Sequence, residues 1–526
     1  TYELLLFSAI SIFAFSVSAD LTTTSFHDHI SFACHKALNP ESCRDTVLRA
    51  VSDDGSASEA ADLQPKLLNR QVDEMRRALV LIQKLRSNQA EESGALSDCE
   101  ELMEISIDLV LNSIRELEKG MGRSQYTDAQ TWLSGVLTNH FTCADEIGGG
   151  RLLGIRSMTE GLIDTTRASL AVLASVTLPE DEITIRPVTS GMDPTWLTPM
   201  DRKLLQVTAD RVKADLVVAR DGSGDFRTVS GAVDAAPENS EKRFVIRVKK
   251  GTYRENVVVG KNKKNLMIIG DGKGKTTITA HLNVVDGSTT YNSATLAAVG
   301  EGFILQDIRI RNTAGREKAQ AVALRIGSDK SAINRCKIEG YQDTLYAHSL
   351  RQFYRDSTIK GTIDFIFGDA AVVLQKCTIE ARIPLKSQKN TVTAQGRSDP
   401  NQNTGTSIQD CVIKPTRDLE PLRLSYPTFL GRPWRNFSRT AVLESYIGDH
   451  VDPAGWFEWS GDFALDTLYY GEYKNRGPGS VTENRVNWKG YHAIDSAAEA
   501  WSFTVRELIN GDEWLGYTGV PYNVGL

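Results

Sequence analysis

Histidine is scarce in this chain, with eight residues among 526. The four in the second half of the chain, His281, His348, His450 and His492, stand in no recognisable triad setting, and Asp221-Gly-Ser-Gly224 is out of frame for the Gly-x-Ser-x-Gly nucleophile elbow. That argues against a serine hydrolase. A membrane-spanning run is also missing: the apolar stretch Leu4 to Phe15 is well short of the roughly 20 residues a spanning helix needs, so no stable membrane anchor is expected. It ends in Val17-Ser18-Ala19, small residues suited to cleavage before Asp20. With no Met or basic segment ahead of it, residues 1–19 read as a signal peptide truncated at its start, which predicts secretion. Nor is there a basic excess: the net charge is -7, and no nucleic-acid partner is expected. Gly270-Asp-Gly-Lys-Gly-Lys-Thr276 imitates a phosphate loop, but its first Gly is one position late and no α/β context follows, so it reads as a turn.

What is present divides into two parts of opposite charge. Residues 206–526 hold 42 Lys and Arg against 37 Asp and Glu, whereas residues 1–205 hold 18 against 30. Residues 26–175 read as helical, with apolar residues at spacings of three and four in Leu67 to Leu85 and Leu102 to Leu117, and suggest an antiparallel bundle. Four of the seven cysteines lie here, Cys34, Cys43, Cys99 and Cys143; three pairings are open, and 34–43 with 99–143 is the preferred one. Residues 176–205 form a Pro-rich linker ending in Arg202-Lys203-Leu204-Leu205, a dibasic site suited to a processing protease.

From about residue 215 the pattern changes to short β runs such as Phe244 to Val248 and Leu266 to Ile269, punctuated by Gly, Asn and Asp. A repeat runs through them. Cys336-Lys-Ile338, Ser357-Thr-Ile359, Cys377-Thr-Ile379 and Cys411-Val-Ile413 follow one another at steps of 21, 20 and 34 residues. Such spacing, without hairpin signals, predicts a right-handed parallel β-helix in which equivalent positions stack about 4.8 Å apart. The three thiols then belong to a column of small core residues, free to pair or simply to pack.

The same interval separates Asp343, in Tyr-Gln-Asp-Thr-Leu-Tyr (341 to 346), from Asp364, in Asp-Phe-Ile-Phe-Gly (364 to 368). Neighbouring coils would bring the two carboxyl groups together, so that one keeps a proton while the other is ionised. An acid beside a nucleophile suits ester cleavage. Gln342 and Gln320 offer amide N–H groups for an oxyanion, and Leu-Gly-Arg-Pro-Trp (430 to 434) supplies Arg432, a fork for a carboxylate, and Trp434, a stacking surface for a sugar.

Taken together these segments, with Gly251-Thr-Tyr-Arg-Glu255 and Gln320 to Arg325, resemble in content and order the plant pectin methylesterases that carry an inhibitor-like pro-region. Upstream, Ala95-Leu-Ser-Asp-Cys99 and Asp128-Ala-Gln-Thr-Trp-Leu-Ser134 are similar to the pectin methylesterase inhibitor family, and 202 to 205 to its processing site. The resemblance implies a four-helix bundle followed by a catalytic β-helix at 206–526. It makes Asp364 the nucleophile, Asp343 the proton donor and acceptor, and Gln342 the transition-state stabiliser. Thr290, Gln320, Arg432 and Trp434 would contact substrate. It implies no metal or organic cofactor, pectin (homogalacturonan) as partner, inhibitor proteins or the chain's own pro-region as further partners, and a place in the plant cell wall. Many relatives pair a Cys at the position of Ser357 with the equivalent of Cys377; that bridge cannot form here. Asn436-Phe-Ser438 is an N-glycosylation sequon two residues past Trp434.

Two other readings compete. A pectin depolymerase on the same scaffold would, if inverting, need carboxyl groups about 6.5–9.5 Å apart, and a lyase would need grouped acids for calcium. A non-catalytic inhibitor or wall-binding protein would not need the full set of site residues.

Overall fold

A computed structural model of the chain describes residues 26–52, 63–87, 93–120, 122–147, 152–176 and 212–526. The expected signal peptide, and the linker beyond Val176 with Arg202, Lys203, Leu204 and Leu205, lie outside the described residues.

The apolar spacing of the first part produces helices α1 (Phe26–Ala33), α2 (Pro40–Ser52), α3 (Leu63–Arg86), α4 (Ser93–Leu117), α5 (Arg123–Glu146) and α6 (Leu153–Ser175). The last four close into a ring in which α3 and α5 each pack against both α4 and α6. Leu68, Val72 and Met75 of α3 meet Leu102 and Val110 of α4, Leu133 and Val136 of α5, and Ile155 and Leu162 of α6. Disulfides join Cys34 to Cys43 and Cys99 to Cys143, the second tying α4 to α5. Within this core Gln71 is satisfied on both ends of its amide, donating to Thr166 at 2.7 Å and accepting from Ser169 at 3.1 Å, which fixes the register of α3 against α6.

Helix α5 is buried all round from Leu133 to His140. A helix in a simple bundle keeps one face in water; this one has the second domain on its other side. Gly135 makes the close approach possible, because a Cβ there would stand 2.7 Å from Leu350.

The second domain is a parallel β-helix of three sheets, with eleven, eight and seven strands. The repeat read from sequence is its register: Ile338 pairs with Ile359, Ile359 with Ile379, Ile379 with Ile413 and Ile413 with Ile447. This column is wholly buried. Each such side chain contributes roughly 1.5–3 kcal/mol from removal of apolar surface from water, and every coil repeats the same contact.

A single residue turns the chain from the eleven-stranded sheet into the eight-stranded one. Asp307, Arg335, Asp356, Lys376, Asp410 and Glu444 occupy this corner on successive coils, all with φ between 48° and 55°. The residue that follows points inward, and small groups there bridge the coils. The N–H of Cys336 donates to Ser357 Oγ at 3.0 Å, that of Cys377 to Cys411 Sγ at 3.2 Å, and that of Cys411 to Ser445 Oγ at 3.0 Å. Cys336, Cys377 and Cys411 are free thiols. Outside, the corner residues stack charge on charge, with Arg335 forked onto Asp307 at 2.5 and 2.8 Å.

The ends and one outer face are covered. Helix Val229–Ala235 closes the first coil, its N-terminal N–H groups held by Glu255 at 2.9 Å. Val505, Leu508 and Trp514 from the C-terminal helices seal Phe353 and Val373 on the outside of the eleven-stranded sheet. The left-handed corner yields a direct test. Lys376→Val should lower stability by about 1–2 kcal/mol, and Lys376→Gly should be neutral or stabilising, as read by urea unfolding.

Candidate active site

The seven-stranded sheet carries the candidate residues. Leu345 pairs with Ile366 across adjacent coils, so Asp343 and Asp364, each two residues earlier, lie one strand spacing apart, about 4.8 Å. Both have left-handed backbones, φ 60° and 50°, which lift the side chains out of the sheet's inward alternation. Both are more than nine-tenths buried.

Their surroundings differ. Asp364 accepts from Arg432 Nε at 2.8 Å, from Arg432 Nη2 at 2.7 Å and from Thr391 Oγ1 at 2.6 Å. These donors serve a carboxylate, and the fork fixes its plane. Asp343 has no such partner on its carboxyl group among the described residues. Burial pushes its pKa well above the ordinary carboxylate range, the charge of Asp364 adds to the rise, and Arg432 opposes it. The pair is therefore unequal: Asp364 is held in plane by the arginine fork, whereas Asp343 is a buried carboxyl group that favours its proton. Asp343 is where a leaving group can collect a proton.

Gln320 and Gln342 are half-buried, and among the described residues neither side-chain amide has a protein partner. Gln342 precedes Asp343 directly, and its carbonyl accepts from Ala321 N–H, tying it to the segment that begins at Gln320. Arg432 also stacks over Trp459, 4.3 Å from the ring centre. Trp434 stands at the end of an aromatic row on the outer face of the sheet: Tyr346 and Phe367 stack with centroids 4.1 Å apart, and Trp434 is 5.9 Å from Phe367. Thr290 precedes the short turn Tyr291–Ser293, at the far end of this face. Asn436 is exposed, whereas Ser438 of its sequon is buried and bonded to Tyr470 at 3.0 Å. His348 is buried, bonded to Thr142 at 3.0 Å, and its pKa is pushed down to about 3 by that burial; it offers no general base.

The helical bundle lies over the aromatic row. Leu133, Val136 and Leu137 share one apolar cluster with Tyr346, Phe367 and Trp434. The segment Asp128 to Ser134 makes several of the polar contacts. Asp128 accepts from Arg351 at 2.5 Å, Gln130 donates to the Asn401 carbonyl at 2.9 Å, and Trp132 donates to Asp329 at 3.1 Å. Further along α5, Thr138 donates to Asp369 at 2.7 Å and Asp145 pairs with Arg435.

Residues 215–512 match the family model described as Pectinesterase, and residues 28–178 match Plant invertase/pectin methylesterase inhibitor. The chain belongs to the pectinesterase family. It is 54% identical over 498 residues to "Pectinesterase 2.1" of Solanum lycopersicum, covering 94% of this chain and 90% of that one. To a "Pectinesterase/pectinesterase inhibitor" of Ficus pumila var. awkeotsang it is 49% identical over 535 residues, covering 99% and 97%. Among solved structures, a pectin methylesterase from carrot is 60% identical with a TM-score of 0.60, covering 60% of this chain and 99% of that one. This pectinesterase is thus a carboxylic ester hydrolase with an inhibitor-like helical region ahead of its β-helix.

Several residues of the candidate site are not evident from sequence. Thr391 sits one coil beyond Asp364, 27 residues on, in Asn390-Thr-Val-Thr393, where nothing local marks it. Tyr346 and Phe367 each stand three residues after an aspartate, a shared offset that is the one signal able to find them. Trp459 comes from a loop with no repeat signal. Thr391→Val removes two hydrogen bonds to Asp364, one donated to its carboxyl group and one accepted from its N–H, the first worth about 1.5–3 kcal/mol. It should lower kcat/KM for methanol release at least tenfold, with Thr391→Ser restoring most of the loss.

Proposed function

We propose that the chain removes methyl groups from polygalacturonate through an aspartyl acyl-enzyme, in the plant cell wall after secretion. The observation that carries this reading is the unequal pair: Asp364 forked by Arg432, and Asp343 buried beside it without a donor. Asp364 attacks the C6 carbonyl of a methylated galacturonate. The side-chain amides of Gln342 and Gln320 donate to the oxyanion. As the tetrahedral species collapses, Asp343 gives its proton to the departing methoxide, and methanol leaves. Asp343, now a carboxylate, takes a proton from water, which attacks the mixed anhydride. Asp364 departs as a carboxylate, Asp343 is again protonated, and the uronic acid loses its proton to solvent. Trp434 and the aromatic row provide a platform for sugar rings. The plant relatives support the wall setting, and a glycan at exposed Asn436 is compatible with a secreted enzyme.

The spacing of the aspartates also weighs against the depolymerase alternative. Carboxyl groups one strand apart leave less room for an attacking water than the roughly 6.5–9.5 Å of inverting glycosidases. On the proposed reading, residues 26–175 act as an inhibitory partner held in cis over the groove until the linker is cut near Leu205.

Asp364→Ala and Asp343→Ala should each remove most methanol release from esterified pectin while leaving circular dichroism unchanged; near-normal turnover in Asp364→Ala would remove the nucleophile assignment. Docking should depend on pH through Asp98 of α4. Burial raises its pKa to about 7, with Glu146 adding to the rise and Thr289 and Arg325 opposing it, so the docked form binds a proton more tightly than the released one. The bundle should hold best near pH 4, and loosen as pH rises towards and through 7. The loss should be about tenfold or more, the factor that roughly 1.4 kcal/mol of differential proton binding supplies. Release of the bundle from linker-cut protein, followed by gel filtration against pH, checks this; tighter retention at pH 8 than at pH 5 would contradict it.

A further inference from the structure

Arg254 belongs to the segment Gly251-Thr-Tyr-Arg-Glu255, which the chemistry above leaves unused. Its two neighbours have structural roles. Tyr253 points into the solenoid core and donates to the Lys249 carbonyl at 2.9 Å, and Glu255 holds the N–H groups of Val229 and Ser230 at 2.9 Å. Arg254 points the other way, out of the eight-stranded sheet, and has no hydrogen bond or ion pair among the described residues.

Strand register sets what lies beside it. Tyr253, Ile278 and Ile310 stack inward, so Thr252, Thr277 and Arg309 form one outward row and Arg254, Thr279 and Arg311 the next. Together they floor a groove of about 470 Å³, rimmed by Asn256, His281 and Thr313. Arg311, like Arg254, has no bonded partner among the described residues. Arg309 reaches Glu339 only at 3.6 Å, and its Nε and the Thr279 hydroxyl, both buried, have no hydrogen-bond partner. Glu339 is itself held by Lys337 at 2.7 Å. Farther along the same sheet cations are matched, since Lys360 and Lys414 both pair with Glu380. The unmatched charge is gathered on the first coils. This face is also the uncovered one: the bundle lies over the seven-stranded sheet and the C-terminal helices over the eleven-stranded sheet.

We propose that the groove over Arg254, Thr279 and Arg311 is a second binding site for polyuronate, which holds an already de-esterified stretch of the polymer on a face that the bundle leaves open. The proposal rests on the pectin esterase reading above. Arg254 and Arg311 stand two strand spacings apart, roughly 9.6 Å at the backbone. A polymer whose carboxylates recur along its length meets both without crowding like charges, and each guanidinium offers a fork to one carboxylate. Thr277 and Thr279 place hydroxyl groups between the arginines, suited to the hydroxyls of sugar rings. A fully methylated chain carries no charge and gains nothing from the arginines. The site therefore prefers product to substrate, and it lies outside the catalytic groove. The uncut chain, with its aromatic row covered, would still attach to acidic polymer. Once the linker is cut, attachment through this face raises the local concentration of polymer at the catalytic groove.

Uncut full-length protein separates the two sites, because its bundle lies over the aromatic row. Calorimetry on that protein should show binding of fully de-esterified oligogalacturonate that weakens with added salt, and none of the fully methylated oligomer. Arg254→Gln combined with Arg311→Gln, both at exposed positions, should weaken this binding at least tenfold with circular dichroism unchanged. Affinity should rise with oligomer length. No binding by the uncut wild type, or unchanged binding in the double variant, would overturn the site. Equal affinity for the galacturonate monomer and the oligomer would reduce the groove to a simple anion site and overturn it too. Methanol release by linker-cut protein is measured in parallel on short methylated oligomers, where the double variant should match the wild type. Absence of release by the wild type would instead overturn the esterase reading, and the binding comparison on uncut protein would still decide whether the groove holds polyuronate.

Discussion

Two carboxyl groups one strand spacing apart in a buried setting do not both carry charge, and the β-helix register imposes that spacing. Because the coil that separates them takes 20 or 21 residues, the aspartate ending one corner recurs beside its counterpart on the next. Arg432 then breaks the symmetry. It comes from a later coil, forks onto Asp364 alone, and leaves the proton with Asp343. On the proposed mechanism, nucleophile and acid are thus the same residue type, distinguished by their neighbours.

The solenoid sets a stacked column of side chains beneath the site. Ile338, Ile359 and Ile379 stack beneath the site, and the corner column of Cys, Ser and Cys links successive coils by N–H to Oγ and Sγ contacts. Ser357 takes part in this ladder as a hydrogen-bond acceptor, where a thiol would make the bridge expected in relatives. The bundle adds a second constraint. Helix α5, with small residues Ser134, Gly135, Thr138 and Thr142 towards the solenoid, seats closely on the aromatic row, while Asp128, Gln130 and Trp132 fix its direction.

Much of this is legible in the sequence alone. The small-x-Ile pattern carries strand, register and step, because a one-residue slip in a solenoid would turn every isoleucine outwards. The column runs beyond those four repeats: Ser445-Tyr-Ile447 continues it at the same 34-residue step. Asp343, Asp364 and Arg432 are recoverable because they lie in dense local motifs. Thr391 and Trp459 are harder, since they reach Asp364 and Arg432 only through contacts between coils. The left-handed corners are hidden too: Arg335 and Lys376 carry none of the Gly or Asn signal that usually marks such a backbone. The docking of α5 leaves a trace only in its weak amphipathicity, which reads as an ordinary bundle helix until the second buried face is seen.

Everything above stands on Asp343 keeping its proton while Asp364 is ionised. The most direct measurement is a carboxyl carbon NMR titration of aspartate-labelled protein, with Asp343→Asn used to assign the signal. The signal lost in Asp343→Asn should stay protonated well above the ordinary carboxylate range. A signal for Asp343 that titrates near pH 4, roughly where an ordinary aspartate does, would contradict the division of roles.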